Sequence, residues 1–382
     1  MALTSIGPTT LNIVVPALPN LANRLASDVG TIQLIVSIYL LAMAAGQLLM
    51  GSLSDRFGRR PVLIVALSVT AGASVSAVLI STVESLIAAR ILQAVGASAG
   101  VVISRAIIRD LFDRNRAASM LGLVATVMAV VPTLGPLIGG LLETGFGWEA
   151  IFLFTAITST LVVTWAAITL PETRGLNVQH GAREGFFRDL ARLSRSARFA
   201  GFVLAGAFGS ATFFAFLGGG AHVVVTLMGR SPAEYGAWFA LSSIGYITGN
   251  FISSRLSMRY GIHRMIWAGI IIEVLGVALS TALTAFALNW GPLIVFVPQM
   301  IVNVGNGLLL PGAIAGAVSV RPQSAGTAAG ITGFTQMALG AAIAQYAGTL
   351  MADSPSALPL SILMDALAIV LVIGFAALVR RA

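Results

Sequence analysis

Arg90, Glu273 and Asp365 are charged residues inside long apolar stretches of the sequence. A guanidinium or carboxyl group placed deep in such a stretch costs several kcal/mol unless it faces a polar cavity or a partner. A carboxyl group can bind and release a proton, whereas a guanidinium stays a cation. Gln93 follows Arg90 by about one helical turn and lies on a similar face. We interpret these four side chains as candidate functional residues, and structural pairing within the protein is the alternative for each.

The apolar stretches that hold these residues recur along the whole chain. The sequence has 382 residues, of which 57% are hydrophobic and 9% are charged, whereas a soluble domain has about 25% charged residues. Each run is long enough to cross a hydrocarbon core about 30 Å thick as a helix. We therefore predict an all-α polytopic membrane protein. Its twelve predicted spans are residues 4–24, 31–51, 61–81, 85–107, 117–142, 149–170, 199–227, 235–255, 265–286, 291–319, 325–350 and 357–379.

The basic residues are distributed asymmetrically along this pattern. The formal net charge is +8, lysine is absent, and most arginines fall in alternate loops between the predicted spans. Short loops rich in positive charge stay on the cytoplasmic side during insertion, so we predict that both termini and the long central loop are cytoplasmic. Topology thus accounts for the basic charge, and we expect no nucleic acid partner. The sequence has no metal-ligand cluster, phosphate loop or ATP-binding motif, so we expect no metal or other cofactor, and primary active transport is excluded.

One long polar stretch, Pro171–Arg198, divides the sequence. We predict an N-terminal six-helix half at 1–171, a cytoplasmic linker at 172–198 and a C-terminal six-helix half at 199–382. The halves contain a repeat, because Gly249–Gly261 aligns with Gly46–Gly58. The identical pairs are Gly46/Gly249, Leu53/Leu256, Ser54/Ser257, Arg56/Arg259 and Gly58/Gly261. The second copy has Met258 where the first has Asp55.

A short polar hinge is predicted between the second and third spans. It reads Gly51-Ser-Leu-Ser-Asp-Arg-Phe-Gly-Arg-Arg60, with three arginines and one carboxylate. This pattern resembles the loop signature of the major facilitator superfamily of transporters. The candidate gating residues are Gly51, Asp55, Arg56, Gly58 and Arg59 of the hinge, together with Asp110 after the fourth span.

Three further segments are similar to the drug:proton antiporter group of that superfamily, and to its bicyclomycin- and chloramphenicol-resistance exporters. They are Val15-Pro-Ala-Leu-Pro19, Arg90-Ile-Leu-Gln-Ala-Val-Gly96 and Gly135-Pro136-Leu-Ile-Gly139-Gly140. The glycines of the last segment leave a helix face free for close packing, and Pro136 removes a backbone hydrogen bond. The resemblance implies that this helix is a gate that favours export and that Arg90 takes part in proton coupling.

The resemblance also implies a fold of two pseudo-symmetric six-helix halves that give alternating access to a midplane substrate site. It implies export of small amphipathic or drug-like molecules in exchange for protons, by a monomer in the bacterial inner membrane. In the loop, Asp55 is expected near the amino end of the eleventh helix, with Ser324 as its cap, and Arg59 is expected to pair with Asp110. The residues expected to line the cavity, with ordinary packing as the alternative, are Tyr39, Phe213, Phe216, Tyr246, Asn303, Asn306, Phe334 and Gln336.

The first span departs from the family pattern, because Asn12 stands where the family commonly has an acid. Asn cannot titrate, so Glu273 and Asp365 are the remaining acids at membrane depth. The resemblance puts their helices at the periphery, which favours a structural or partly solvated role for them. Proton exchange therefore has an alternative, which is proton-independent facilitated diffusion or import of a small metabolite.

Two other classes of function are weighed against transport. One is a non-transporting sensor or scaffold built on the same fold. The other is an intramembrane serine hydrolase, since Gly96-Ala-Ser98-Ala-Gly100 fits the pattern of a nucleophile elbow. That motif requires a strand-to-helix turn, and here it lies within a predicted helical span. We therefore expect no enzymatic activity.

Overall fold

The computed structural model describes residues 1–174, 191–286, 291–321 and 324–379. Every regular element in these ranges is helical, so the predicted all-α fold is confirmed. The elements are α1 Ala2–Asn12, a 3₁₀ turn Val15–Ala17, α2 Leu18–Arg24, α3 Val29–Phe57, α4 Arg59–Val78, α5 Val83–Leu111, α6 Arg114–Phe146, α7 Glu149–Thr169, α8 Ala197–Ala221, a π-helical segment His222–Leu227, α9 Pro232–Tyr260, α10 Ile262–Phe286, α11 Leu293–Ser319, α12 Ala325–Ala352 and α13 Leu358–Val379. Most of the predicted linker lies outside the described residues.

Eight of the described helices are long and apolar enough to cross a membrane. They are α3, α4, α5, α7, α8 with its π-helical extension, α10, α11 and α13. Helices also occupy the other predicted spans, at α1–α2, α6, α9 and α12. Length and hydropathy do not assign these four as spans, so a multi-pass membrane protein is confirmed while the total of twelve stays a prediction.

The polar hinge predicted at Gly51–Arg60 is almost entirely helical. α3 continues to Phe57 and α4 begins at Arg59, so only Gly58 lies outside a helix. Its φ of 103° is in a region that glycine adopts at no steric cost. The prediction of a longer hinge was wrong because the polar residues at the end of α3 are tolerated in a helix, at a cost of only a fraction of a kcal/mol each.

The internal repeat is visible in the glycines of the two aligned segments. Gly58 follows α3 and Gly261 follows α9, and both have positive φ, at 103° and 80°. Within those helices, a Cβ added to Gly46 would meet α5, and one added to Gly249 would overlap the backbone of α11. Equivalent positions of the repeat therefore have the same backbone role and the same packing role.

The chain forms two compact units. The first unit comprises Met1–His180 and Ser231–Ala237, and the second comprises Gly181–Arg230 and Trp238–Ala382. Their buried apolar cores include Leu63, Leu67 and Ile103 in the first unit, and Phe202, Leu309 and Phe375 in the second. Polar groups buried beside such cores require hydrogen-bond partners, and those partners define the candidate site.

Candidate functional site

Arg90 lies on α5 and is 1% exposed. Its Nε donates to the carbonyl oxygen of Ile35 at 3.1 Å, and its Nη1 donates to the carbonyl oxygen of Thr10 at 2.9 Å. Nη1 also donates to Oε1 of Gln93 at 3.0 Å, whereas Nη2 has no hydrogen-bond partner. Within the described part of the chain, no carboxylate lies at ion-pair distance from Arg90. Neutral oxygens therefore hold this buried cation.

The carbonyl of Thr10 is available because the first span is broken. α1 ends at Asn12, two residues after Thr10, and the chain continues as a short 3₁₀ turn, Val15–Ala17. The last four carbonyls of a helix have no intrahelical partner, and this end of the helix dipole attracts a cation. The break thus gives Arg90 the acceptor that a carboxylate would otherwise provide.

Tyr39 and Gln93 complete the surroundings of Arg90. The guanidinium lies over the ring of Tyr39, 4.1 Å from its centroid, a contact that contributes about 2 kcal/mol when desolvated. Tyr39 Oη donates to the carbonyl oxygen of Gly7 at 3.0 Å, and Gln93 Nε2 donates to Ser74 Oγ at 2.8 Å. Tyr39 is fully buried, so in this structure it contacts Arg90 and no open cavity.

Asn12 lies at the end of α1, where glycines of α6 pack against it. Its Nδ2 donates to the carbonyl oxygen of Pro8 at 2.8 Å, and its Oδ1 has no partner. A Cβ added to Gly135 would lie 2.8 Å from Asn12 Cβ, and one added to Gly139 would overlap the carbonyl oxygen of Ile13. The absence of side chains at these positions therefore lets α6 pack on the break in the first span.

Gly140 faces a second segment of the same unit, the first turns of α9. A Cβ added to Gly140 would overlap the carbonyl oxygen of Pro232. The reverse contact is made by Gly236, where an added Cβ would overlap the carbonyl oxygen of Pro136. The predicted antiporter signature is thus a packing surface for the α1 break on one side and for the start of α9 on the other. Its role as a gate stays a prediction.

Arg59, at the start of α4, joins two carboxylates. Its Nη1 pairs with Asp55 Oδ1, and its Nε lies 3.1 Å from Asp110 Oδ2. Nη1 also donates to Ser54 Oγ at 2.7 Å. The side chains of Arg59 and Asp110 are each 11% exposed, so solvent screens this pair less than a surface pair. The structure contains the predicted Arg59–Asp110 pair, while its gating role stays a prediction.

The other predicted loop residues have weaker surroundings. A Cβ added to Gly51 would be 3.7 Å from Val102, and the Arg56 guanidinium lies 5.2 Å from the ring of Phe57. Ser324 precedes α12 but makes no side-chain capping hydrogen bond. The prediction of a Ser324 cap was wrong because its φ of −108° and ψ of 24° differ from the extended geometry of capping residues. The expected approach of Asp55 to the eleventh predicted span, which is α12 in the structure, stays a prediction.

Glu172, just after α7, is a functional candidate that sequence reasoning missed. Its carboxylate accepts hydrogen bonds from four backbone N–H groups at 2.8–3.1 Å, those of Arg59, Arg60, Thr173 and Arg174. The first two belong to the start of α4, whose N-cap residue Gly58 has no capping side chain. Glu172 therefore caps α4 from a distant part of the chain.

The same contact fixes the end of α7 to the Arg59 cluster, which consists of Arg59, Ser54, Asp55 and Asp110. Burial raises the pKa of Glu172, but the four backbone donors outweigh it, so the pKa lies below its ordinary value. Next to it, Thr173 Oγ1 donates to Asp110 Oδ2 at 3.3 Å. The only sequence signal was an acid directly after Pro171, since main-chain donors leave no side-chain pattern.

The two acids predicted at membrane depth differ in environment. Glu273 of α10 is 0% exposed, its Oε1 lies 2.7 Å from Thr212 Oγ1, and its Oε2 has no partner. Asp365 of α13 is half-buried and accepts a hydrogen bond from Thr281 at 2.5 Å. Of the two expected roles for Glu273, structural or partly solvated, burial excludes solvation in this structure, because Gly305 brings α11 so close that an added Cβ would be 3.0 Å from Glu273 Cβ. The structural role stays a prediction.

The remaining side chains expected to line a cavity belong to the second unit. Phe216 is buried and stacks on Phe239, whereas Phe334 is 39% exposed. Asn303 Nδ2 donates to the carbonyl oxygen of Ser242 at 3.1 Å, and both side-chain polar atoms of buried Asn306 lack partners. Phe213, Tyr246 and Gln336 are half-buried. A substrate role for this set stays a prediction.

Ser98 lies in the interior of α5 and donates to the carbonyl oxygen of Val95 at 2.6 Å. A Cβ added to Gly46 would lie 2.5 Å from its Oγ, so α3 packs directly over it. The strand-to-helix turn that a nucleophile elbow requires is absent at this serine. Its surroundings are those of helix packing.

Comparison with known proteins identifies the family. The profile described as Major Facilitator Superfamily matches residues 1–345. The chain belongs to the Major Facilitator Superfamily. It is therefore a membrane transporter and not an enzyme, and a small molecule is its substrate.

Named relatives of this transporter include drug-resistance proteins. It is 30% identical over 338 residues to multidrug resistance protein D of Escherichia coli (strain K12), with coverage of 87% of this chain and 83% of the relative. It is 32% identical over 324 residues to the chloramphenicol resistance protein of Pseudomonas aeruginosa, with coverage of 85% and 74%. It is 26% identical over 381 residues to the bicyclomycin resistance protein homolog of Haemophilus influenzae, with coverage of 99% and 94%.

Solved structures share the fold of this transporter. A bacterial homolog of the human lysosomal transporter Spinster matches with a TM-score of 0.77 and 15% identity, over 98% of this chain and 94% of that one. A nucleoside transporter matches with a TM-score of 0.72 and 14% identity, over 99% and 98%. At these identities the likeness establishes the major facilitator fold alone.

Proposed function

We propose that this transporter exports small amphipathic or drug-like molecules in exchange for protons. The names of its relatives, which refer to bicyclomycin, chloramphenicol and multidrug resistance, support a drug substrate. Alternating access of the two halves, 1–171 and 199–382, is the transport mode that a repeat architecture supports. In this proposal the protein is a monomer in the bacterial inner membrane, with both termini in the cytoplasm as the arginine distribution favours.

The observation that carries the proposal is the break at the end of α1. The carbonyl of Thr10 on one side of the break accepts from Arg90, and Asn12 and Ile13 pack on Gly135 and Gly139. A displacement of the break therefore changes both the hydrogen bonding of the buried cation and the packing of the antiporter signature. A substrate that binds near Arg90 and displaces the break would therefore alter the packing surface of α6.

The Arg59 cluster is the second mechanical element of the proposal. The pairs that Arg59 makes with Asp55 and Asp110, and the cap that Glu172 places on α4, tie together the ends of several helices. Contacts of this kind hold one conformation and break in another, as required of a two-state element. We assign the cluster to the control of access on the side of the membrane where it lies.

A proton-independent facilitator or importer is the second candidate function. It is favoured by Asn12, which cannot titrate, and by the lack of a carboxylate near Arg90 in the described residues. In that case the substrate gradient alone drives transport, and the Arg90 site contributes only to substrate binding or stability.

Transport in proteoliposomes with and without an imposed pH gradient tests the proposal. Chloramphenicol and a panel of lipophilic cations are the probes, because relatives carry drug-resistance names. We expect at least one probe to accumulate against its gradient only when the pH gradient is present. Counterflow without any gradient-driven accumulation would establish the facilitator instead.

A further inference from the structure

Glu273 is a buried carboxyl group without a cation. It is 0% exposed, and within the described ranges a hydroxyl group is its one hydrogen-bond partner. A carboxylate taken out of water without a positive partner costs far more than the neutral acid. Its chemistry therefore needs an explanation.

The hydroxyl group of Thr212 indicates which form of Glu273 is present. Thr212 Oγ1 lies 2.7 Å from Glu273 Oε1 and 3.0 Å from the carbonyl oxygen of Gly209. A threonine hydroxyl has one hydrogen and two lone pairs. It cannot donate to both oxygens at once, and a backbone carbonyl is only an acceptor. Both contacts are satisfied together only when Glu273 is protonated and donates to Thr212, which then donates to Gly209.

The elements around Glu273 bring no charge that would stabilise a carboxylate. α11 packs on α10 and has no titratable residue. On α13 the titratable group is Asp365, which is bonded to Thr281. The nearest cation along α10 is Arg264, about 14 Å away at 1.5 Å per residue. On α8, Arg198 is about 21 Å along the helix from Thr212 by the same measure.

The other side chains that titrate in these helices lie at their ends. His222 follows α8, and His263 is in the first turn of α10. His263 contacts the rings of Phe202 and Phe375. Neither histidine has a contact with Glu273 among the described interactions. Among the residues that the structure describes, Glu273 thus contacts no other ionisable group.

We infer that Glu273 is a proton-binding group of this transporter, held as the neutral acid in this structure, with Thr212 as its positioning residue. The inference rests on the proposed proton exchange and names the residue that carries it. When the proton leaves to water, the Thr212 hydroxyl must turn from Gly209 to Glu273 Oε1. Oε2 then has no donor, so release requires a conformation in which water or another donor reaches this atom.

Asp365 provides the contrast that makes the inference specific. It also accepts from a threonine, but Thr281 Oγ1 has no second acceptor among the described hydrogen bonds. That hydroxyl can donate to an ionised carboxylate, and Asp365 is half-buried instead of fully buried. The geometry at Asp365 therefore does not require a proton.

Infrared difference spectroscopy of the purified full chain at neutral pH tests the protonation state without any substrate. We expect the carbonyl band of a protonated carboxylic acid, lost in Glu273→Gln and kept in Asp365→Asn. Thr212→Val shifts the band to higher frequency, because the carboxyl loses its hydrogen-bond partner, whereas the matched control Thr281→Val leaves it in place. A spectrum in which Glu273→Gln removes no band, or Thr212→Val moves none, overturns the inference.

Transport measurements separate this inference from the proposed function. With the probe that the wild-type protein accumulates, Glu273→Gln is expected to reduce accumulation to the level of vesicles without a pH gradient. Thr212→Val is expected to shift the pH profile of transport. If Glu273→Gln accumulates the probe like wild type, antiport stands and this inference fails. If wild type accumulates no probe, antiport fails and so does coupling through Glu273, while the infrared band still reports its protonation.

Discussion

Replacing Glu172 with alanine removes the cap that this residue, three positions after the end of α7, places on α4. In the structure, Glu172 accepts hydrogen bonds from the backbone N–H groups of Arg59 and Arg60 at 2.9 Å and 3.1 Å. Without the carboxylate these N–H groups lose their protein partner, because Gly58 has no side chain to replace it. The Arg59–Asp110 pair remains in the variant. We therefore expect a local loosening of the start of α4 with the global fold retained.

The size of the effect follows from the capping geometry. Loss of an N-cap side chain costs about 0.5–2 kcal/mol, and hydrogen bonds to a charged acceptor lie in the upper part of that range. Glu172 is exposed, so solvent screening removes part of the electrostatic gain. A local destabilisation of about 1–2 kcal/mol is expected, which corresponds to about 5- to 30-fold more frequent opening of the first turn of α4.

Hydrogen exchange measured by mass spectrometry on the protein in nanodiscs tests this expectation. Exchange in peptides that contain Arg59 and Arg60 is expected to accelerate by that factor in Glu172→Ala. Glu84→Ala is the matched control, because Glu84 is an exposed acid in the first turn of its own helix, α5. Unchanged exchange at Arg59 and Arg60 in Glu172→Ala would refute the assignment of Glu172 as the cap.

The pH dependence of the cap has a definite sign. The pKa of Glu172 lies below its ordinary value of 4.5, because backbone donors outweigh burial. A lowered pKa means that the stabilisation is complete above the ordinary value and is lost as pH falls through the folded value. Between wild type and Glu172→Ala, the ratio of exchange rates is therefore expected to be constant across the neutral range. A ratio that changes near neutral pH would contradict the ionised cap.

Three further substitutions are predicted from the geometry. Gly139→Ala should lower thermal stability in detergent by about 1–3 kcal/mol and reduce transport, because the added Cβ overlaps the α1 break. Gly145 faces open space, so the control Gly145→Ala should change neither stability nor transport. Gly58→Ala and Gly261→Ala should each cost about 1–3 kcal/mol for positive φ. Gly58→Ala should be worse because its Cβ would also reach Glu172; equal losses would contradict this. Arg90→Lys should abolish probe transport although the charge is kept, because one ammonium group cannot reproduce the hydrogen bonds that the guanidinium makes to separate helices. Transport at the wild-type level by this variant would exclude a role for those hydrogen bonds.

The sequence predicted contacts between side chains better than contacts to the backbone. The Arg59–Asp110 pair was predicted because both partners are charged side chains close to the ends of spans. Glu172 was missed because its partners are the N–H groups at the start of α4. Those groups become free donors only once the helix begins at Arg59, and the sequence pattern placed the third span from residue 61. A shift of two residues at a helix start thus hides a capping site.

The sequence showed that an acid is missing at position 12, but it did not show that the carbonyl of Thr10 binds Arg90 instead. The resemblance to the family implies an acid at the position where this sequence has Asn12. Every residue has a carbonyl, so nothing in the side chains marks the one at Thr10 as free to bind Arg90. That carbonyl is free because α1 ends at Asn12, two residues further on, and the choice of partner depends on how α1 packs against α5. The same reasoning applies to Glu273, whose burial follows from the approach of α11 at Gly305.

The hydrogen-bond acceptors of Arg90 are neutral groups that do not titrate. A guanidinium keeps its proton throughout the accessible range, and the carbonyl oxygens of Thr10 and Ile35 that bind it carry no titratable charge. Asn12 adds none. If proton exchange drives this transporter, the exchangeable proton must reside elsewhere, and of the two acids at membrane depth only Glu273 has hydrogen-bond geometry that requires one. In the proposed antiport, a fixed cation in the first unit and a protonatable acid in the second would couple transport to protons without a carboxylate at position 12.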